Sequence, residues 1–415
     1  MPFSAHSDFY VINMFPSLLW RENVVDILSY SRQEVNRPGF SYYPPLTYFT
    51  LSVFQFLYQP FSNTFIPWVD QLRSLYVGGF RGTEADYIKL VDNPFIFRDI
   101  FLGKTPYLIF DIGCVLALVA FIRRRYIDKK IVLLWLFNPV LLYGAYIFGQ
   151  FDIIPAFFIL LGFLLIDKNP SLGLFTVGIA GAFKNYSFVF IIPLAGIYGR
   201  SLKDKAKLAL IGFVPSFIFA TPTIINSPSD AVFAFFNGII LQSKRPLEGW
   251  PLYSQLLRYT ALAFSYFSIT LLFSLTTIKN KWRLSVGVCC IAILLVLTLV
   301  PRTSFHYLFW AFPLIILWFR GFKVCTSILL IQTISFASYK ILAPQLQAGL
   351  FVPINPDYFH SLPTFNYLLG QIIPYRIIST AGFLIFLSLN LYLIARIIYE
   401  ITFKSEVSLR KLGRR

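Results

Sequence analysis

Long apolar runs recur along most of this chain, each closed by a short polar or charged break. The runs fall at residues 107–122, 131–148, 153–166, 172–183, 188–198, 208–225, 252–278, 284–300, 307–319, 324–342 and 377–401. Many approach the roughly 20 residues that span a bilayer core. Read together they predict eleven membrane-crossing helices, an all-α polytopic bundle. A transmembrane barrel would instead show alternating segments of about ten residues. The runs shorter than about 17 residues must tilt or be shielded by neighbours.

Composition agrees with this pattern. Of 415 residues, 57% are hydrophobic and only 13% charged, and the mean hydropathy is +0.66. The net charge of +17 would raise nucleic acid as a partner in a soluble protein. Here the Lys/Arg excess of short cytoplasmic loops accounts for it, and no nucleic-acid partner is expected. The bases lie at residues 123–130, 200–207, 279–283 and 320–323 and in the tail from Lys404 to Arg415. One orientation puts them all on the cytoplasmic side.

In that orientation residues 1–105 form a non-cytoplasmic first loop, 106–402 the transmembrane core, and 403–415 a basic cytoplasmic tail. The apolar segment 44–61 resembles a span. If it crossed, Arg123-Arg124-Arg125 would face outward, so it reads as a juxtamembrane helix on the outer face. The chain then reads as one that begins just after a first transmembrane helix. The bilayer is a partner, in a bacterial or archaeal plasma membrane or an endoplasmic reticulum membrane.

Cys114, Cys289, Cys290 and Cys325 all sit in apolar runs and read as small buried hydrophobes. No Cys pair has zinc spacing, the carboxylates are few, and no glycine-rich phosphate loop occurs. No metal, nucleotide or other cofactor is expected.

The polar chemistry gathers on the outer face in four groups. They are His6-Ser7-Asp8-Phe9-Tyr10, Ser41 to Tyr48 with Pro44-Pro45, Asn138-Pro139 leading to Gly149-Gln150-Phe151-Asp152, and Lys184-Asn185-Tyr186. A carboxylate at a membrane boundary is costly unless solvated or used. Each group also has a structural reading. Asp8 reads as a solvated loop acid and Asp152 as a cap for the helix starting at Ile153. Lys184, Arg302 and His306 read as side chains reaching for the interface. Tyr42, Tyr43 and Tyr48 read as aromatic-belt residues. Lys244-Arg245 reads as a solvated pair. Asp26 and Glu34 compete with Asp8 as acids, and Asp111 falls near the outer end of its run.

At these groups the chain resembles the GT-C glycosyltransferases that use lipid-phosphate sugars. It is most similar to the GPI mannosyltransferase branch and to bacterial polyprenyl-phosphate-mannose-dependent enzymes, with the dolichyl-phosphate-glucose glucosyltransferases also alike. The shared features are Tyr43-Pro44-Pro45-Leu46-Thr47, a carboxylate after the next outward span at Asp152, and Lys184-Asn185-Tyr186. The resemblance covers most of residues 1–200. It implies an inverting hexosyltransferase, with mannose the expected sugar. The donor is a polyprenyl- or dolichyl-phosphate sugar and the acceptor a glycan or glycolipid. It places the general base at Asp8. The family often carries two adjacent acids there, where this chain has Ser7-Asp8.

Around that base, Lys184 and Arg302 are assigned to the leaving phosphate, and Gln150 and Asp152 to the donor or acceptor pocket. His6 and His306 are assigned as hydrogen-bond donors, and Tyr43 and Tyr186 as sugar-facing aromatics. Two other readings use the same spans. One is a transporter or flippase for a lipid-linked saccharide, and the other a non-catalytic assembly protein of the same pathway.

Overall fold

A computed structural model describes residues 1–35, 43–78, 88–89, 91–230, 252–275, 280–300, 304–339, 351–363, 367–368 and 371–403. Arg302, Lys244, Arg245 and Tyr42 lie outside them. Among the described residues the chain is helical, with no strand. An N-terminal layer holds α1 (Ser7–Asn13), α2 (Leu18–Arg21), α3 (Ile27–Val35), α4 (Pro45–Tyr58) and α5 (Phe65–Val77). The bundle follows with α6 (Ile96–Arg125), α7 (Ile131–Leu136), α8 (Ile153–Leu165), α9 (Pro170–Phe183), α10 (Ile191–Tyr198) and α11 (Leu202–Asn226). It continues through α12 (Leu252–Leu275), α13 (Lys281–Leu299), α14 (Phe312–Phe319), α15 (Phe322–Tyr339), the short α16 (Pro356–Ser361) and α17 (Tyr375–Thr402).

Seven segments are long and apolar enough to cross a membrane, and four apolar ones are shorter: Ile153–Leu165, Pro170–Phe183, Asn185–Tyr198 and Phe305–Phe319. The chain is therefore a multi-pass membrane protein by length and composition. Helix α13 is its axis, because 83% of its apolar window is buried, against 28% for α11 and α17 and 11% for α12. An apolar surface left open on α11, α12 and α17 suits lipid contact.

Lipid gives helices no hydrophobic reason to associate, so close packing of small residues must hold them. At the α9–α11 contact a Cβ added to Gly178 would sit 2.0 Å from the carbonyl oxygen of Gly212. Only glycine permits that approach.

The run 131–148 is not one smooth helix. Pro139 lacks an N–H and disfavours helix in the residue before it, so α7 ends at Leu136. The Asn138 side chain accepts from the N–H groups of Val140 and Leu141 and restarts the chain. Residues Leu142–Phe148 then form a π-helical segment, a device frequent at functional sites. Helix α6 begins at Ile96, so the expected boundary at residues 105–106 falls inside a helix.

Among the described residues, bases from four of the basic clusters meet at one end of the bundle. Arg125 is ion-paired with Asp167 and lies 4.4 Å over the ring of Trp282. Arg320 donates to the Arg125 carbonyl at 3.4 Å, Lys205 to the Ser274 carbonyl at 3.1 Å, and Arg283 pairs with Glu400 at 3.1 Å. Helix α8 starts beside Asp152 and ends before Asp167-Lys168. At 1.5 Å per residue its length separates the two ends by about 20 Å.

The N-terminal layer covers the end of α8 where Asp152 lies. Lys104 of α6, fully buried, donates to the carbonyls of Met1 at 3.0 Å, Tyr146 at 2.8 Å and Ser4. That ammonium ties the chain start to the π-helical segment. Asp99, also fully buried, accepts from Ser62 at 2.7 Å, Thr64 at 2.5 Å and Asn93 at 2.7 Å, which fastens the approach to α5 onto α6. The four cysteines are buried and free.

Replacing Gly178 by valine is expected to push α9 from α11. The cost should be about 1–3 kcal/mol, as for other overpacked contacts. Thermal unfolding of detergent-solubilised protein should show a lower midpoint, with Gly178→Ala falling between the two.

Candidate functional site

The site starts from a turn. Gly149 has a φ of 89°, the left-handed region that glycine enters without a Cβ penalty. A Cβ there would also press to 2.9 Å from the Phe9 side chain. The turn is pinned from both sides. The N–H groups of Gly149 and Gln150 both donate to the Gly144 carbonyl, at 3.1 and 2.8 Å, and the Tyr107 hydroxyl donates to the Gly149 carbonyl at 3.2 Å. Gln150 and Asp152 are thereby held at a fixed pitch, 1% and 4% exposed.

Helix α1 brings Asp8 to this turn. The His6 N–H donates to the Phe148 carbonyl at 3.1 Å, and its ring stacks on Phe148 at 3.8 Å. His6 Nδ1 caps α1 by accepting from the Asp8 N–H at 3.2 Å. Asp8 thus occupies the first turn, where the helix dipole favours a carboxylate. Gln150 Nε2 donates to Asp8 Oδ2 and, at 3.3 Å, to the Tyr43 hydroxyl. With its amide N–H groups so used, Gln150 presents Oε1 to Lys184 Nζ at 3.5 Å.

Lys184 stands just past α9, on extended backbone with φ −154° and ψ 123°. Thr47 of α4 holds that end by donating to the Phe183 carbonyl at 3.1 Å, which satisfies a carbonyl that a helix end leaves open. The Tyr-Pro-Pro-Leu-Thr segment thus supports Lys184 through its threonine. Lys184 Nζ donates to Asp152 Oδ1 at 2.5 Å, and the Trp310 indole donates to the same oxygen at 3.0 Å. His306 Nε2 lies 3.7 Å from Asp152 Oδ2, too far for a hydrogen bond. That carboxylate oxygen has no hydrogen-bond partner among the described residues, so it retains capacity to accept.

Aromatic rings wall the ammonium. Lys184 Nζ lies 5.2 Å from the Phe151 ring centroid, 5.3 Å from Tyr307 and 5.5 Å from Trp310. Trp310 is itself stacked between Tyr307 at 3.9 Å and Tyr186 at 4.2 Å. Tyr307 and Trp310 sit three apart in the 3₁₀ segment Phe305–Trp310, where residues at that spacing eclipse.

Eight residues expected at the site therefore converge. Asp8, His6, Tyr43, Gln150, Lys184 and Asp152 form one chain of contacts, His306 lies against Asp152, and Tyr186 joins through Trp310. Arg302 lies outside the described residues. Three structural readings fail. Asp152 makes no side-chain cap to α8; its Oδ1 is turned to Lys184 and Trp310 instead. Lys184 is buried and ion-paired, not reaching for the interface. Asp8 is a first-turn helix residue whose side chain is 29% exposed, not a free loop acid. Asp111 belongs elsewhere, bonded to the Trp135 indole at 2.7 Å and to the Tyr146 hydroxyl. Asp26 accepts from Thr223 at 2.6 Å.

Sequence reasoning missed Trp310 and Tyr307 as members. The available signal was His306, since a histidine opening an apolar run marks its neighbours one turn on.

Burial raises the Asp8 pKa, but the neighbouring His6, with Lys184 and Gln150 behind it, outweighs that effect. The carboxyl therefore stays below its ordinary range. Tyr43 is pushed well above the usual phenol range by burial and by the charge of Asp8, so it remains a protonated phenol at neutral pH. The arrangement offers a partly exposed, ionised carboxylate beside a buried ion pair and a slab of stacked rings.

No protein-family model matches the chain, and no curated protein matches it.

Lys184→Met should destabilise the protein by about 3–5 kcal/mol, because it strands the Asp152 charge in the bundle. Adding Asp152→Leu should restore much of the loss. Thermal unfolding of the two variants beside the parent reads out the difference.

Proposed function

We propose that this chain is an integral-membrane, inverting glycosyltransferase of the GT-C type, with eleven spans formed by the seven long helical segments and the four shorter ones. It transfers a hexose, mannose first among the candidates, from a polyprenyl- or dolichyl-phosphate donor to a lipid-linked or surface glycan. The observation that carries this reading is the linkage of Asp8 to Lys184 and Asp152 through the single amide of Gln150. The positive-inside rule assigns the basic end to the cytoplasm, so in this reading that cluster faces the other side together with the N-terminal helices.

In this reading Asp8 takes the proton from an acceptor hydroxyl. That oxygen forms the new bond to the anomeric carbon as the bond from the anomeric carbon to the phosphate oxygen breaks. The electron pair leaves with the lipid phosphate, a good leaving group, so no paired acid is required. The configuration inverts because a single displacement occurs. Developing charge on the phosphate needs fixed donors. Lys184 already neutralises Asp152, and Arg302 is the second base that the sequence assigns to that task. The stacked Tyr186, Trp310 and Tyr307 offer a face for a sugar ring.

Membranes containing the protein, supplied with labelled polyprenyl-phosphate-mannose or polyprenyl-phosphate-glucose, test the proposal. Asp8→Asn should lower transfer by about 10²–10⁴-fold with folding intact. Transfer that survives this change removes Asp8 as the base. No transfer from either donor by folded protein would favour the transporter or assembly reading.

The pH profile gives a second test. A carboxylate held below its ordinary pKa stays ionised at neutral and mildly acidic pH and is lost only as pH falls through the depressed value. Transfer should therefore be level from neutral pH to about 5 and fall only below about 4, the ordinary aspartate range. A fall centred near pH 6–7 would point to a histidine instead.

A further inference from the structure

We propose that the basic end of the bundle holds a cleft that binds the phosphate headgroup of an anionic phospholipid. The cleft has a volume of about 850 Å³ and opens among the ends of α6, α8, α9, α10, α11 and α13. That volume lies within the usual range for small-ligand sites. It is separate from the Asp8 cluster, at the far end of α8, and the proposal does not depend on the glycosyltransferase reading.

Its charges do not cancel. Arg125, Lys168, Arg200 and Lys281 face Asp167 and Asp204 across the cleft. Asp167 is occupied by Arg125 and by the Tyr198 hydroxyl at 2.7 Å. Asp204 accepts from the backbone N–H of Arg200 at 2.8 Å, not from its guanidinium. The Lys168 ammonium and the Arg200 guanidinium therefore have no ion-pair or hydrogen-bond partner among the described residues. Among the described residues, the Lys281 ammonium has only the face of Tyr198, 5.9 Å away.

The wall of the cleft is rigid. Trp282 is buried, its indole donates to the Phe163 carbonyl at 3.0 Å, and Arg125 covers its ring. A positive-inside signal requires charge alone. It does not require a cavity of this size with two cations on its rim that have no counter-charge among the described residues.

A lipid fits better than a soluble phosphate because the cleft opens at the basic end of a membrane-spanning bundle, where a bilayer supplies anionic headgroups at high local density. Leu202 and Leu210 of α11 are 85% and 66% exposed on the face turned away from the cleft-lining Asp204 and Leu208, so that face meets lipid. In water such side chains would be unfavourably placed; at a membrane surface they meet acyl chains. Clefts of this kind between membrane helices suit anionic lipid headgroups. The phosphodiester would sit between Lys168 and Arg200, with the acyl chains leaving the cleft toward the surrounding bilayer.

Full-length protein in nanodiscs of phosphatidylcholine with a minor share of phosphatidylglycerol tests this. Lipid retained after transfer to detergent would be counted by native mass spectrometry. The double variant Lys168→Gln/Arg200→Gln should weaken phosphatidylglycerol retention by about tenfold or more. The charge-matched control Arg123→Gln/Arg124→Gln, exposed at the same end but outside the cleft, should leave retention unchanged. All four side chains are exposed, and unfolding midpoints confirm that folding is preserved. Equal loss in both variants would overturn the proposal in favour of general surface attraction. Binding of inorganic phosphate without preference for phosphatidylglycerol over phosphatidylcholine would overturn the lipid assignment.

Discussion

The Lys184–Asp152 ion pair is the constraint on which the site end of this molecule depends. Two charges removed from water in an apolar bundle are tolerable only if they meet with good geometry and if further hydrogen bonds satisfy what remains. That requirement fixes three elements at once. The start of α8 must present Asp152, the end of α9 must release Lys184 into an extended residue, and the 3₁₀ segment must bring the Trp310 indole to the same oxygen. The stacked rings around the ammonium exclude water and add cation–π attraction. A pair so enclosed acts as a fixed post against which more mobile groups can be set.

Asp8 is the group set against it. It arrives from a short helix that could not hold its place alone, since isolated helices of this length are marginal. Lys104, the His6–Phe148 stack and the turn at Gly149 hold it by contacts distant in sequence. Gln150 then couples the two parts: its amide N–H groups serve Asp8 and Tyr43 while its oxygen faces Lys184. Among the linked side chains Asp8 and Asp152 are acids and Lys184 is the lysine between them. The exposed carboxylate is therefore not neutralised outright and keeps the character of a base.

The two ends of the bundle follow different rules. At the site end charges are few, buried and paired. At the basic end they are many and exposed, and among the described residues several have no counter-charge. The first arrangement suits chemistry on a bound substrate, and the second suits a surface that meets anionic headgroups. Helix α8 links them rigidly.

The apolar runs were legible in the sequence because a bilayer core demands a minimum length of apolar helix. Among the described residues the runs lie in helices, and bases from four of the basic breaks meet at one end. The polar groups around His6, Tyr43, Gln150 and Lys184 were legible too, since polar residues at the ends of apolar runs are costly and few. Local pattern did not reveal the break at Asn138-Pro139 with its π-helical segment, the early start of α6 at Ile96, or the membership of Trp310 and Tyr307. Nor did it show that Lys184 faces Asp152 in place of the interface. Each depends on which helices pack together, and the sequence fixes that only through close contacts such as Gly178 on Gly212. The sequence determined where helices form and which residues are polar. Tertiary packing alone decided which polar atoms meet, because a buried charge takes the partner that three dimensions bring within reach.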